Sequence, residues 1–255
     1  MPDALIGHTG FVGGNLLRQR PFEGLYNSKN IQDIRGQSYE LLVCSGAPAE
    51  KWKANKEPEK DLEILQGLMG HLAEVKARKV ILISTVDVYP HPIGVDEDSP
   101  IDPAQGGAYG RNRRVLENFL LERFDTLVVR LPGLFGQGLK KNVIYDFLNN
   151  NRLEVINSEG VFQFYDLSNL WKDLQKALAS GLKVVNFTVE PTSVAEVARE
   201  AFGREFHQPL PNPGRYDIRS KHAGLYGGKD GYFYNREQVL GAMKAFVSGF
   251  EGKAR

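Results

Sequence analysis

The sequence predicts an α/β protein built on a doubly wound parallel sheet of about six strands. Three observations carry this expectation. Short apolar runs alternate along the chain with segments of helical periodicity, the pattern of repeated strand–helix–strand units. Two runs stand out as strands: VILIS at Val80–Ser84, with four apolar residues in succession, as in a strand buried on both faces, and TLVVRL at Thr126–Leu131. The first run is followed at once by a glycine-rich turn and a helical segment, GHTGFVG at residues 7 to 13.

Each element follows from the pattern in turn. Ala4-Leu5-Ile6 is a short strand, Phe11 to Arg20 a helix after the glycine turn, and Leu25 to Asn27 a second short strand. The 11 residues from Ser28 to Ser38 cannot hold a full helix and another strand. They predict one short helix over Asn30 to Arg35 and a sheet lacking one edge strand. Glu40 to Ser45 (ELLVCS) is a buried strand. Glu57 to Lys76 carries Leu62, Leu65, Leu68, Leu72 and Val75 as a helical stripe. Val80–Ser84 is the next strand, and Tyr109 to Phe124 is a helix with Leu116, Phe119 and Leu120 at helical spacing. After Thr126–Leu131 come a helix near Ser168 to Ala179, a strand near Val184 to Thr188, a helix near Ser193 to Phe202 and a last helix over Arg236 to Phe250.

Composition excludes several classes. The 255 residues are 42% hydrophobic and 25% charged with a net charge of +1, so no global field draws in nucleic acid or an anionic membrane. No apolar run approaches the roughly 20 residues that span a bilayer, and MPDALIGHTG lacks the basic-then-apolar pattern of a secretory signal. The single cysteine, Cys44, cannot make an internal disulfide. The five histidines show no metal-ligand spacing, so no metal site is expected. The expectation is a soluble cytoplasmic protein with no nucleic-acid or membrane partner.

Chemistry begins in the glycine turn. Gly7 permits a tight exit from the strand, Gly10 lets backbone approach a pyrophosphate, and Gly13 lets helix pack closely on sheet. The helix N-terminus then faces the phosphates. Following a strand and opening a helix is the context such a motif needs, and it points to a Rossmann-type dinucleotide site.

The spacing G-x-x-G-x-x-G resembles the opening of the short-chain dehydrogenase/reductase superfamily, in particular its extended branch of nucleotide-sugar epimerases, dehydratases and reductases. Four further segments fall in that branch's order: VCSGAP (43 to 48), ISTVDVYP (83 to 90), YGRNRRVLE (109 to 117) and RLPGLFGQG (130 to 138). The resemblance implies one extended unit over residues 1–255, with 1–137 mainly a dinucleotide-binding core. Residues 138–255 then mix core strand and helix with a reduced C-terminal substrate lobe. It also implies a small-molecule substrate, a sugar or nucleotide sugar, and a homodimer.

Site residues carry over by position. Thr85, four before Tyr89, would hydrogen-bond a substrate hydroxyl or carbonyl; as a strand-end hydroxyl it could equally cap local backbone. Tyr109 would be the proton donor and acceptor. A free phenol has a pKa near 10, and a fixed cation would lower it toward the working range. The resembled family supplies that cation with a lysine four residues on; here the position holds Arg113, larger, planar and always charged. Glu117, one turn further, is placed to pair with Arg113. Arg111 and Arg114 read as solvated; Asp87 reads as a solvated residue at a strand end, with a shortened base or substrate contact as the alternative.

The cofactor site would comprise Gly7, Thr9, Gly10, Phe11, Val12 and Gly13 in the glycine turn, and Asn27, Ser28 and Lys29 after the second strand. Asp33 and Ile34 would lie near the adenine, Ser45, Gly46 and Ala47 of VCSGAP beside the cofactor, with Tyr109, Arg113 and, from RLPGLFGQG, Pro132, Gly133 and Leu134 completing the site. A carboxylate at the end of the second strand would select NAD by bonding its ribose. Asn27 stands there instead, followed by Ser28 and Lys29, so NADP is preferred over NAD. Two function classes follow: an NAD(P)-dependent oxidoreductase or epimerase acting on a sugar through Tyr109, Thr85 and Arg113, or a catalytically impaired NAD(P)-binding regulatory or scaffold protein.

Overall fold

Six short strands form one sheet, all of whose neighbours run parallel. The computed structural model describes residues 1–102 and 104–250; residue 103 and residues 251–255, the tail of the second expected span, lie outside the described residues. The chain forms two compact units. The first comprises Met1–His91, Glu97–Leu131 and Leu170–Asn186; the second comprises Pro92–Asp96, Pro132–Asn169 and the chain from Phe187 onward. The chain leaves the first unit after Leu131. Residues 170 to 186 return to the first unit because they supply its last helix and edge strand.

In the first unit, β1 (Ala4–Ile6) leads through α1 (Phe11–Gln19) to β2 (Gly24–Tyr26), and a single 3-10 turn, Ile31–Ile34, leads on to β3 (Ser38–Cys44). Two helices follow, α2 (Lys51–Lys56) and α3 (Pro58–Leu72), then β4 (Lys76–Thr85), α4 (Ala108–Arg123) and the strand Thr126–Leu131. Helix Leu170–Ala179 and strand Val184–Asn186 complete the unit. The sheet order is Val184–Asn186, Thr126–Leu131, β4, β3, β1, β2. The extra edge strand is absent where the short Ser28–Ser38 segment leaves no room for it. Chain direction across the sheet reverses between β1 and β3, and in such sheets ligands bind at the carboxyl ends of the strands flanking that point.

Burial explains the strands. All six residues of Thr126–Leu131 are buried, as are Val80 to Ile83 in β4. Covered on both faces, they show no alternation. Strand β4 starts at Lys76, four residues before the apolar run. Its first residues alternate between exposed and half-buried and pair with β3 from Ser38, with an exposed Arg78–Glu40 ion pair across the strands. That entry takes Lys76 from the expected helix, so α3 stops at Leu72, with Leu65, Leu68 and Leu72 as its inward stripe.

The second unit has its own core, in which Tyr165 and Phe187 are fully buried and the rings of Tyr226 and Phe233 stack at 3.5 Å. Short strand pairs, among them Gly133–Phe135 with Phe164–Asp166, accompany helices Val143–Asn149, Val194–Phe202 and Arg236–Ser248. Buried Gln163 holds three backbone groups of this unit, donating to the carbonyls of Val189 and Ile218 and accepting from the Ile218 N–H.

Candidate active site

The glycine turn is shaped by close backbone packing. Gly7 takes φ +85°, and a Cβ there would lie 2.4 Å from the Ser45 carbonyl oxygen. A Cβ on Gly13 would lie 2.2 Å from the Gly7 carbonyl oxygen. Only glycine lets α1 and the end of β3 meet the turn this closely. Ser45 fixes the junction from the other side, its N–H and hydroxyl both donating to the Ile6 carbonyl. Gly10 caps α1 with no side-chain hydrogen bond, and the first turn holds no acidic residue. The positive end of the helix is thus neither capped by a side chain nor offset by a carboxylate of its own first turn. Thr9 and Gly10 are exposed, and Phe11 and Val12 half-buried.

At the end of β2 the Asn27 side chain accepts from the Lys29 N–H at 2.9 Å and meets the His8 ring nitrogen at 3.1 Å. It builds the turn as well as marking its chemistry, while Ser28 and Lys29 are exposed. Asp33 is exposed. Ile34 is fully buried in the hydrophobic core of the sheet. Ser45, Gly46 and Ala47 are half-buried at the carboxyl end of β3. Pro132, Gly133 and Leu134 belong to the second unit, where Gly133 packs against the Gln163 carbonyl.

Thr85 ends β4 and caps the next turn: its hydroxyl oxygen accepts from the Asp87 N–H at 3.1 Å. Helix α4 is seated on this turn. A Cβ on Gly110 would lie 1.9 Å from the Asp87 carbonyl oxygen, so the glycine after Tyr109 is what lets the helix start approach. The buried face of α4 is polar at its start, carrying Tyr109, Asn112 and Arg113; further on Leu116 and Leu120 give it an apolar anchor, with buried Glu117 between them.

Arg113 is 3% exposed and forms an ion pair with Asp61 of α3, itself 6% exposed. It also donates to the Pro48 carbonyl, just beyond Ser45-Gly46-Ala47, and its guanidinium lies 4.1 Å from the centre of the Tyr109 ring. Asn112 adds a second donor to Asp61 at 2.9 Å. The expected Arg113–Glu117 pair is absent. Glu117 is fully buried and takes a two-pronged contact from Arg130 at 3.0 and 2.7 Å, with Ser84 and Arg114 also donating to it. Arg114 is therefore a partner of Glu117, where solvation was expected; Arg111 is exposed. Arg130 reaches on to the Tyr89 hydroxyl at 2.8 Å. The two arginines thus bridge α4 to its neighbours through separate carboxylates.

This alters the electrostatics expected of Tyr109. Burial pushes its phenol above the ordinary tyrosine range, more strongly than the Arg113 cation pulls it down. Arg113 is committed to Asp61 and lies over the ring face. Lys51 also pulls the phenol down, and Asp87 and Asp61 push it up. Asp87 is not a free strand-end residue: Lys51 of α2 binds its carboxylate at 2.7 Å. Asn55, also in α2, accepts from the Tyr109 N–H at 2.9 Å. The sequence reading missed α2, Lys51, Asn55 and Asp61. Only Ala54 of α2 is buried, so no apolar periodicity marks it.

No family profile matches the chain, and no curated protein matches it in sequence. Solved structures do match. A dTDP-4-dehydrorhamnose reductase from Clostridium acetobutylicum is similar over 97% of this chain and 99% of its own, with 15% identity and a TM-score of 0.73. The chain has the same Rossmann-type fold. RMD from Pseudomonas aeruginosa, complexed with NADPH, shares it over 97% of each chain, with 16% identity and a TM-score of 0.71. MoeE5, in complex with UDP-glucose and NAD, shares it over 97% of this chain and 98% of its own, with 18% identity and a TM-score of 0.68. Among the described residues no helix is long and apolar enough to cross a membrane.

Proposed function

We propose that the chain is an NAD(P)-dependent oxidoreductase or epimerase acting on a nucleotide-linked sugar. One observation carries the reading: the helix start bearing Tyr109 is seated, through Gly110, on the turn that Thr85 caps, at the carboxyl end of β4. The fold shared with nucleotide-sugar enzymes, two of them solved with NADPH or NAD, supports it.

The residues fit a dinucleotide. Backbone packing at Gly7 and Gly13 leaves the open α1 N-terminus to receive a pyrophosphate. Ser45, Gly46 and Ala47 supply small side chains beside it. When bound, the nicotinamide supplies or accepts a hydride. Tyr109 gives a proton to the substrate oxygen, or takes one from it, and the Thr85 hydroxyl bonds the same oxygen. A phenol held protonated by burial suits the reducing direction, in which it acts as the acid. NADP is the preferred form: no carboxylate ends β2 to repel a 2′-phosphate, and Ser28 and Lys29 stand exposed beside Asn27. The buried Cys44 fits a reducing compartment such as the cytoplasm. The assembly this reading expects is a homodimer.

The test is NADPH oxidation followed by absorbance with 4-keto dTDP- and UDP-sugars, and conversion between 4-epimers with NAD. The reading expects turnover that Tyr109→Phe abolishes. The commitment of Arg113 to Asp61 favours a second reading, a cofactor-binding regulatory protein. Binding of NADPH without turnover, unchanged by Tyr109→Phe, would select it.

A further inference from the structure

Helix α2 presents Lys51 and Asn55 four residues apart, one turn along the helix. Asn55 holds the backbone of Tyr109, and Lys51 holds the carboxylate of Asp87, whose carbonyl oxygen lies against Gly110. Both contacts converge on the same helix start. The Asp87 carboxylate in turn accepts from the Thr85 hydroxyl at 3.4 Å. Lys51, Asp87 and Thr85 therefore form one connected cluster, packed through the Asp87 carbonyl against Gly110, the residue after Tyr109.

The charges acting on the Tyr109 phenol come from four elements: Arg113 on its own helix, Asp61 on α3, Asp87 on the turn after β4 and Lys51 on α2. Arg113 and Asp61 are buried, fixed to each other and to Asn112 and Pro48. The Lys51 side chain is 48% exposed on a flexible four-carbon stem, and its ammonium donates in any direction.

We infer that Lys51 is a second cation for Tyr109, and the movable one, which stabilises the phenolate when the tyrosine gives up its proton. It supplies from a different helix the ammonium that position 113 lacks. Lys51 acts through Tyr109 and is a positioning residue. Its role in catalysis rests on the proposed hydride-transfer reading; its effect on the phenol does not.

The test needs no substrate. The full chain is labelled with 3-fluorotyrosine, whose phenol ionises at lower pH than tyrosine's, and titrated by 19F NMR; Tyr109→Phe identifies the resonance. Removing the cation in Lys51→Met is expected to raise the Tyr109 midpoint by about half a pH unit or more, the half-exposed position screening part of the charge. Lys51→Arg should hold the midpoint near wild type, and Asp87→Asn should lower it. An unchanged midpoint in Lys51→Met, with the other tyrosine resonances in place, overturns the inference and leaves Lys51 a surface ion-pair partner. The two readings fail separately. A midpoint shift in a protein that turns over no keto-sugar keeps this inference and removes the enzymatic one. Turnover lost in Tyr109→Phe without a Lys51→Met shift does the reverse.

Discussion

Replacing Arg113 by leucine should cost stability far more than a surface arginine does. The substitution leaves the Asp61 carboxylate, only 6% exposed, with the Asn112 amide donor but without its cation. Stranding one member of a buried ion pair costs about 3–5 kcal/mol. The lost bond to the Pro48 carbonyl and the contact with the Tyr109 ring act in the same direction, each worth about 1 kcal/mol. Together these come to about 5–7 kcal/mol, and for a chain of this size the melting temperature should fall by roughly 10–28 °C. The double variant Arg113→Leu/Asp61→Leu removes both charges and should recover about 2 kcal/mol or more of that loss. Urea unfolding of the wild type, both single variants and the double variant, followed by circular dichroism, gives the coupling energy directly. A cost below about 1 kcal/mol for Arg113→Leu, or a double variant as costly as the sum of the singles, would refute the buried pair.

Gly110→Ala sets helix propensity against packing. Alanine favours a helix by about 1 kcal/mol, but its Cβ would meet the Asp87 carbonyl oxygen at 1.9 Å. The clash should win, lowering the melting temperature by several degrees in a thermal scan; an unchanged or raised value would show that α4 does not sit on that turn. Burial pushes the Cys44 thiol up to about 11, so it should not react with a disulfide reagent at pH 8 until urea unfolds the chain. The unfolded thiol loses its proton at lower pH than the folded one, so stability should fall as pH rises from about 9 to about 11, and Cys44→Ala should flatten that slope in pH-dependent unfolding. Asn27→Asp places a carboxylate at the end of β2 and should weaken NADPH relative to NADH by about tenfold or more in competition titrations; an unchanged ratio would place the selecting group elsewhere.

The alternation of apolar runs and amphipathic segments made the parallel sheet legible, and the short Ser28–Ser38 segment made its missing edge strand legible too. What pattern could not show was polar burial. The start of α4 buries Tyr109, Asn112, Arg113 and Glu117, so which carboxylate each arginine meets depends on β-strand and helix neighbours distant in sequence. Spacing within the helix suggested Arg113 with Glu117; packing gave Arg113 to Asp61 and Glu117 to Arg130. Lys51 was invisible because α2 carries almost no apolar face. The strand start at Lys76 was missed because its exposed and half-buried first residues look unlike a buried run.

The most direct measurement is calorimetric titration of the full chain with NADPH, NADP, NADH and NAD. The account predicts saturable binding at one site per chain, tighter for the phosphorylated pair. Absence of binding by all four would contradict it.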